Sequence, residues 1–325
     1  MMNRTGGVLA AIMLLSSAAD GWSQTAPYPV KVVRIVNPVA PGGNQDTIAR
    51  TIADQLTRSL GQPFVMESRP ASSALVGTRY VKSAPPDGYT LLAISNTFVR
   101  VPALMADAGY DPVKDFAAIS LTGEVPLVFV INPSLPVKTV QEFIALAKKR
   151  PGELANASSG VGSTGHVAAE VFSRRAGIKL LNVQYKGAAP AVIDLVGGHV
   201  MLRFDQVTTS LPFIRAGKLR ALGVSTLKRC AALPDVPTID EAGLAGFNDP
   251  TFNGLMAPAG TPRGIIERLR EGVAKAVAVP ELHHRLLAQG IDLISSNSAE
   301  EFAAFVRKQV EDFAEFARQT GMQAN

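Results

Sequence analysis

Between Asn156 and Ala168 the chain reads NASSGVGSTGHVA. Ser158, Ser159, Ser163 and Thr164 bring hydroxyls, Gly160, Gly162 and Gly165 leave the backbone bare, and His166 adds a titratable ring. Hydroxyls and unpaired backbone N–H groups are donors, so this stretch is suited to holding carboxylate or phosphate oxygens. Glu153 to Asn156 fits a strand or its approach, and Val167, Val171 and Phe172 fall on one helical face. The expected order is therefore strand, Gly/Ser loop, helix N-terminus. The first turn of a helix has no internal acceptors for its N–H groups, and its dipole adds partial positive charge. Together they make an anion site.

Three readings compete for this loop. Gly160 to Gly165 matches GxGxxG literally, which would suit a dinucleotide. That fingerprint also wants an acid at the end of the next strand. Here Leu180 to Tyr185 ends in Gln184, Tyr185 and Lys186, with no acid. No GK[ST] follows the glycines, so a P-loop is excluded. A capped helix start with no ligand is the second reading, and a small-anion loop is the third.

The chain has 325 residues, enough for two domains or one large one. It is 47% hydrophobic, ample for packed cores, and its net charge of +5 is scattered. No basic stripe or aromatic-interleaved patch marks a nucleic-acid binder. Near the start, Arg4, the apolar run Val8 to Leu15 and Ser17-Ala18-Ala19 read as a secretory signal peptide over residues 1–19. No later stretch reaches the length of a membrane span. The expectation is an exported protein with no stable membrane insertion. Cys230 is the only cysteine, so no internal disulfide forms. Four histidines, two of them the adjacent His283 and His284, give a metal site little support. No cofactor and no metal are expected.

Stepping along the chain, strands alternate with helices. Lys31 to Val36 reads as a buried strand, followed by the loop Asn37 to Asp46 and a helix carrying Ile48, Ile52, Leu56 and Leu60. Asp46 suits a cap or first-turn position. Phe64 to Met66 and Tyr89 to Ile94 read as strands, the second ending in Ser95-Asn96-Thr97. A turn at Asp111 to Phe116 leads to a crossing segment. Leu127 to Ile131 restarts the alternation, which places a domain boundary between about Ile119 and Pro126. Strands at Leu180 to Tyr185, Met201 to Phe204, Leu219 to Val224 and Phe252 to Ala257 follow, then three closing helices. The aromatic stripe of the last, from Phe302 to Phe316, reads as core. Such alternation implies parallel sheets covered on both faces. In open α/β sheets ligands bind outside the strand C-termini. Loops 40–46, 95–97, 158–166, 186–190 and 205–206 all lie there, and two facing domains would bring them to one cleft.

Many short segments in one order carry a resemblance. They are Ala40-Pro41-Gly42-Gly43 with Asp46, APPDGYTLL from Ala84, YDPVKDFAAIS from Tyr110, and Ser158-Ser159-Gly160 with His166. Tyr185-Lys186-Gly187, Phe204-Asp205, AGKLRAL from Ala216, ALPDVPT from Ala232, Glu241 to Leu244 and APAGTP from Ala257 continue it. From about Tyr28 onward the chain resembles the receptors of tripartite tricarboxylate transporters, the Bug family of periplasmic solute-binding proteins. The resemblance implies an α/β type II periplasmic-binding-protein (Venus-flytrap) fold: two doubly wound α/β domains with a ligand cleft between them. Crossovers near 125 and 250 would give one discontinuous domain, 26–124 plus 251–325, and a second, 125–250. It also implies a monomeric receptor that binds a small organic carboxylate and serves membrane permease subunits.

Carried over position by position, the ligand loops are Val39, Pro41, Gly42, Gly43, Asn44 and Asp46, then Ser95, Asn96 and Thr97. In the second domain they are Ser158, Ser159, Gly160, Gly162, Ser163, Thr164, His166, Tyr185, Lys186 and Asp205. Asp205 would accept from a ligand amine, hydroxyl or bridging water, or cap the next helix. His166 suits packing or ligand contact, Lys186 cleft charge or a solvated surface, and Tyr185 the cleft wall or the core. The chain departs from the family at several points. Val39 stands for a usual Phe, Ala71 to Leu75 for a Gly-rich GAGGN loop, Asn44-Gln45 for Gly-Thr, and Gln206 for Asn. Lost glycines restrict the backbone, and Leu75 removes an amide. These changes open the site to a more apolar acid than the usual dicarboxylates. A co-receptor for a sensor kinase would use the same fold. An exported hydrolase would want GxSxG or a Ser/His/Asp set, and Ser159-Gly160 lacks the upstream glycine.

Overall fold

The computed structural model describes residues 28–323 except Val161 and Lys186. The signal-peptide assignment and the Lys186 assignment lie outside the described residues. Two five-stranded sheets organise the chain. The first is built from β1 (Val33–Asn37), β2 (Phe64–Ser68), β3 (Thr90–Ser95), β4 (Phe116–Val125) and β10 (Thr251–Pro258), in the order β2-β1-β3-β10-β4. The second holds β5 (Leu127–Ile131), β6 (Ala155–Ser158), β7 (Leu181–Gln184), β8 (Leu202–Gln206) and β9 (Arg220–Val224), in the order β7-β6-β8-β5-β9.

The sheets are mixed rather than parallel throughout. The β2-β1-β3 and β7-β6-β8 portions are parallel, but β10 runs antiparallel to β3 and β4, and β5 antiparallel to β8 and β9. The cause is the return of the chain: a strand that enters a sheet from the other lobe arrives without a crossover helix, so it can lie antiparallel. In the 111–126 region, the expected crossing segment is the ten-residue strand β4.

Helices cover both faces. The first lobe carries α1 (Asn44–Leu60), α2 (Leu75–Lys82), α3 (Asn96–Leu104), α8 (Arg263–Val277), α9 (Pro280–Leu287) and α10 (Ala299–Thr320). The second carries α4 (Val140–Lys149), α5 (Thr164–Ala176), α6 (Ala188–Gly197) and α7 (Val207–Arg215). On α1, Ile48, Ile52 and Leu56 are buried with Val33 and Ile35 of β1, as their helical spacing requires. Under β8 five phenylalanines form the second lobe's core: Phe129, Phe143, Phe172, Phe204 and Phe247. Phe129 and Phe204 stack with centroids 4.7 Å apart. Truncating one of these rings to alanine would cost about 3–5 kcal/mol.

The chain passes between the sheets twice, at Pro126 and at Asp249–Pro250, and Ser225 binds both passages. Its Oγ accepts from the Leu127 N–H and donates to the Asp249 carbonyl, while its own carbonyl accepts from the Asp249 N–H. Helix α3 grips the second passage. Asn96 donates to the Pro250 carbonyl and accepts from the Phe252 N–H. Arg100 donates to Asp249 at 3.0 Å; the Arg100 side chain is buried and that of Asp249 half-buried. Burial pushes the Asp249 carboxyl up and the Arg100 guanidinium down, each opposed by the other's charge.

The segment at 71–75 answers the expectation about lost glycines. Ser73 and Ala74 adopt left-handed φ of 57° and 60° despite their side chains. The turn is therefore kept at a steric cost of about 1–2 kcal/mol per residue. Gly77 in α2 explains why the turn cannot drift: a Cβ there would lie 2.8 Å from Pro38 Cβ, so α2 is pressed onto the loop after β1. Replacing Ala74 by glycine should raise the unfolding free energy by about 1 kcal/mol in a urea titration. An unchanged midpoint would show that the turn is not strained.

Candidate functional site

The starts of α1 and α3 in the first lobe and of α5, α6 and α7 in the second follow the C-terminal ends of β1, β3, β6, β7 and β8. The lobes touch at these ends. Asn44, first residue of α1, donates to Gln206 Oε1 and accepts from Thr208 Oγ1 at 2.7 Å. Leu104 at the end of α3 lies against Gly162, where a Cβ would sit only 2.2 Å from Leu104 Cδ1. Leu104 also packs with Val167, Phe313 and Ala317. One polar and one apolar contact between the lobes thus lie at these ends, and Arg174 of α5 reaches Gln319 of α10 as a further one.

Four of the five helix starts have no side-chain cap. Gly43, Ser95, Gly187 and Gln206 precede α1, α3, α6 and α7 without a capping hydrogen bond. Their first-turn N–H groups have no intrahelical acceptors, so those without another partner are donors for a bound anion; at α7 the Val207 N–H is spent on the Pro126 carbonyl, and in α6 Pro190 has no N–H to give. The loop before α1 is stiffened from below. Asp46 accepts from the Gly42 N–H at 3.1 Å, from Asn37 Nδ2 at 3.2 Å and from Arg50 Nε at 2.9 Å. Burial works against its ionisation, but those three donors hold the carboxyl below the usual range. Gln45 donates to Asn37 and to the Ala93 carbonyl. Asp46 therefore shapes the loop, while Pro41, Gly42 and Gly43 are exposed and Val39 is half-buried. Ser95 and Thr97 are half-buried at the start of α3, and the Asn96 amide is spent on the passage between lobes.

In the second lobe the organising pair is Arg203 and Asp205, which alternate with Phe204 and so face away from the phenylalanine core. Both side chains are about 3% exposed. Arg203 Nη1 donates to the Ala157 carbonyl at 2.9 Å and Nη2 to Ser159 Oγ at 2.7 Å. Its Nε lies 2.9 Å from Asp205 Oδ1, a charge contact without hydrogen-bond alignment. Asp205 Oδ2 accepts from Ser210 Oγ at 2.7 Å. Asp205 is thus held by Arg203 and Ser210. Ser159 gains most from this arrangement: its oxygen accepts from a guanidinium, so its hydroxyl proton is left to donate outward.

The remaining residues divide. Ser158 is buried and donates to Gln184. The Tyr185 hydroxyl donates to Asp194 at 2.7 Å, and burial, helped by that acceptor, pushes it up to about 12. Ser163 caps α5 by accepting from the His166 N–H. The Gly162 N–H donates to His166 Nδ1 at 3.1 Å. Gly160 and Gly162 hold φ of 125° and 73°, which side chains rarely adopt. Gly165 is required by contact, since a Cβ there would lie 2.2 Å from the Phe204 carbonyl oxygen. Thr164 begins α5 half-buried. Among the described residues no serine or cysteine side chain is hydrogen-bonded to a histidine ring, and no group of three metal ligands forms. Arg203 was missed in the sequence. Its signal was there in Leu202-Arg203-Phe204-Asp205, two charges at a spacing of two in an otherwise apolar strand.

Two outcomes follow. Arg203→Met should destabilise the protein by about 3–5 kcal/mol, because Asp205 is left buried without its counter-charge. Arg203→Met with Asp205→Leu should recover much of that loss in denaturant titration; a double variant no better than the single would refute the coupling. His166 gives a pH effect. Burial lowers its pKa, with Glu170 only partly opposing. The unfolded chain takes up a proton near pH 6.5 and the folded loop does not. The unfolded state then binds more protons, so stability falls as pH drops through that value. His166→Asn keeps an acceptor for the Gly162 N–H without titrating. Between pH 7.5 and 5.5 its melting temperature should fall less than the wild type's, and equal slopes would refute the assignment.

Comparison with known proteins places this geometry. The profile of the tripartite tricarboxylate transporter family receptor, TctC, matches residues 48–322. A protein encoded between tcbD and tcbE in Pseudomonas sp. strain P51 is 37% identical over 87% of this chain and 85% of its own length. BugT of Bordetella pertussis is 34% identical over 90% of each chain. A Rhodopseudomonas palustris protein solved with adipate superposes with a TM-score of 0.82, at 33% identity, covering 92% of this chain and 100% of that one. MatC of Rhodopseudomonas palustris with bound malate gives 0.76 at 30% identity, over 89% and 99%. The described members are binding proteins, not enzymes, and the shared fold is that of periplasmic binding proteins. By its sequence and its fold, this chain belongs to the receptor family of the tripartite tricarboxylate transporters.

Proposed function

We propose that the chain is an exported receptor that captures a small organic carboxylate between its lobes and delivers it to the membrane subunits of a tripartite tricarboxylate-type transporter. The observation that carries this reading is the set of uncapped helix starts at one cleft, α1 and α3 on one side, α6 and α7 on the other. Neutral N–H donors bind a carboxylate through charge-assisted hydrogen bonds and need no fixed cation. A donor set on each lobe suits a ligand with a carboxylate at each end. The relatives solved with adipate and malate support this, since both ligands are dicarboxylates. Ser159, its oxygen occupied by Arg203, adds a directed hydroxyl donor. No helix among the described residues is long and apolar enough to cross a membrane, and residues 1–19 supply the proposed export signal.

The test is a thermal-shift series on the mature protein with dicarboxylates of rising chain length, aromatic and branched monocarboxylates, amines and neutral sugars. Ligand at about 100 times its Kd stabilises the folded state by about 2.7 kcal/mol, a clear rise in melting temperature. One length of dicarboxylate should shift it most, and Ser159→Ala should weaken that ligand about tenfold by loss of a hydrogen bond to charge. Shifts by amines or sugars with none by acids would overturn the reading.

A further inference from the structure

We propose that Asn44, Gln206 and Thr208 form a latch that draws the two lobes together whether or not a ligand is present. Asn44 opens α1 in the first lobe, and Gln206 and Thr208 flank the start of α7 in the second. The Asn44 amide uses both its ends across the gap: Nδ2 donates to Gln206 Oε1, and Oδ1 accepts from Thr208 Oγ1 at 2.7 Å. The loop before it is exposed at Pro41, Gly42 and Gly43, yet Asn44 itself is only 7% exposed.

The electrostatics give the latch its purpose. Closing the cleft points the positive ends of α1 and α7 at each other, which disfavours closure until something negative lies between them. The Asn44 and Gln206 carbonyl oxygens supply partial negative charge at that place. Neither helix start has a capping side chain of its own, so both amides are free to reach across. Asn44 is then a positioning residue: it acts on the ligand through the open–closed equilibrium, not by touching it. A ligand gains from any interaction that favours the closed state it binds.

The effect on ligand affinity rests on the receptor reading; the effect on closure does not. The protein is unfolded and refolded to strip retained ligand. Distances are then measured between spin labels at Arg58→Cys and Lys149→Cys, exposed positions on opposite lobes. Asn44→Ala, Gln206→Ala and Thr208→Val should each lower the closed-to-open ratio about three- to tenfold. Thr208→Ser keeps the donating hydroxyl and should stay near wild type, while Gln206→Glu keeps the accepting oxygen and puts a negative charge between the two positive helix ends, so it should raise the closed-to-open ratio. In the Asn44→Ala background, Thr208→Val should add nothing. Identical distance distributions in all variants, or a serine variant that behaves like the valine one, overturn the latch. With a bound acid, the latch variants should raise Kd by one common factor for every acid. An altered ranking of acids in Asn44→Ala, with Thr208→Val at wild-type affinity, makes Asn44 a ligand contact and also overturns it. If no acid binds the wild type, the receptor reading fails, and the ligand-free distances still decide the latch.

Discussion

A helix cannot satisfy its own first N–H groups, and this constraint shapes the working end of the molecule. In each lobe the parallel strands feed helices whose starts fall at the same edge. Thr139 closes the start of α4 and Ser298 that of α10, while α2, α8 and α9 begin without a side-chain cap. At the cleft that closure is withheld from four helices. Unsatisfied donors in a narrowing gap are costly without an acceptor. The two lobes therefore have a shared need that an anion between them meets better than water can in a closed site.

Holding donors in place without capping them needs support from below. Asp46 under the first loop and the Arg203–Asp205 pair under the second do the same job in different ways. Each is a buried charge used to fix a neutral donor. The guanidinium of Arg203 orients Ser159 and the Ala157 carbonyl, so its positive charge favours an anion without forming a salt bridge to it. A buried ion pair contributes little net stability. Its value here is geometric, because removing either partner leaves the other charge stranded.

How much of this could be read from sequence follows from what each feature depends on. The helices with clean apolar periodicity were legible: Ile48, Ile52, Leu56 and Leu60 lie in α1, and the Phe302 to Phe316 stripe lies in α10. Helix α3 was not, since Pro102 and its β-branched neighbours argue against a helix that tertiary packing nonetheless imposes. The mixed sheets were also illegible, because strand direction at β5 and β10 depends on the route between lobes, which has no local pattern. Within the site, the Gly/Ser loop and the PGG loop were visible as donor-rich segments. Which hydroxyls remain available was not. Ser158 and Ser159 are adjacent and identical, yet one is spent on Gln184 and the other is freed by Arg203. Partners far apart in the chain decide that, 26 residues away for the first and 44 for the second.

A receptor must also let go, and this limits how strong any contact between its lobes can be. Two neutral hydrogen bonds across the gap would together contribute on the order of 1–3 kcal/mol. That changes a closed-to-open ratio by about 5- to 150-fold, short of the roughly ten-thousandfold bias needed to move a population from almost all open to almost all closed. Added to the apolar contact of Leu104 with Val167 and Phe313, a latch of this size leaves the ligand as the deciding term. A buried ion pair at the same place would not. Breaking it would strand two charges, closure would become hard to reverse, and ligand release would slow with it. Among the described residues the buried charges lie under the loops and at the passage between lobes, while neutral amides and a hydroxyl meet across the gap.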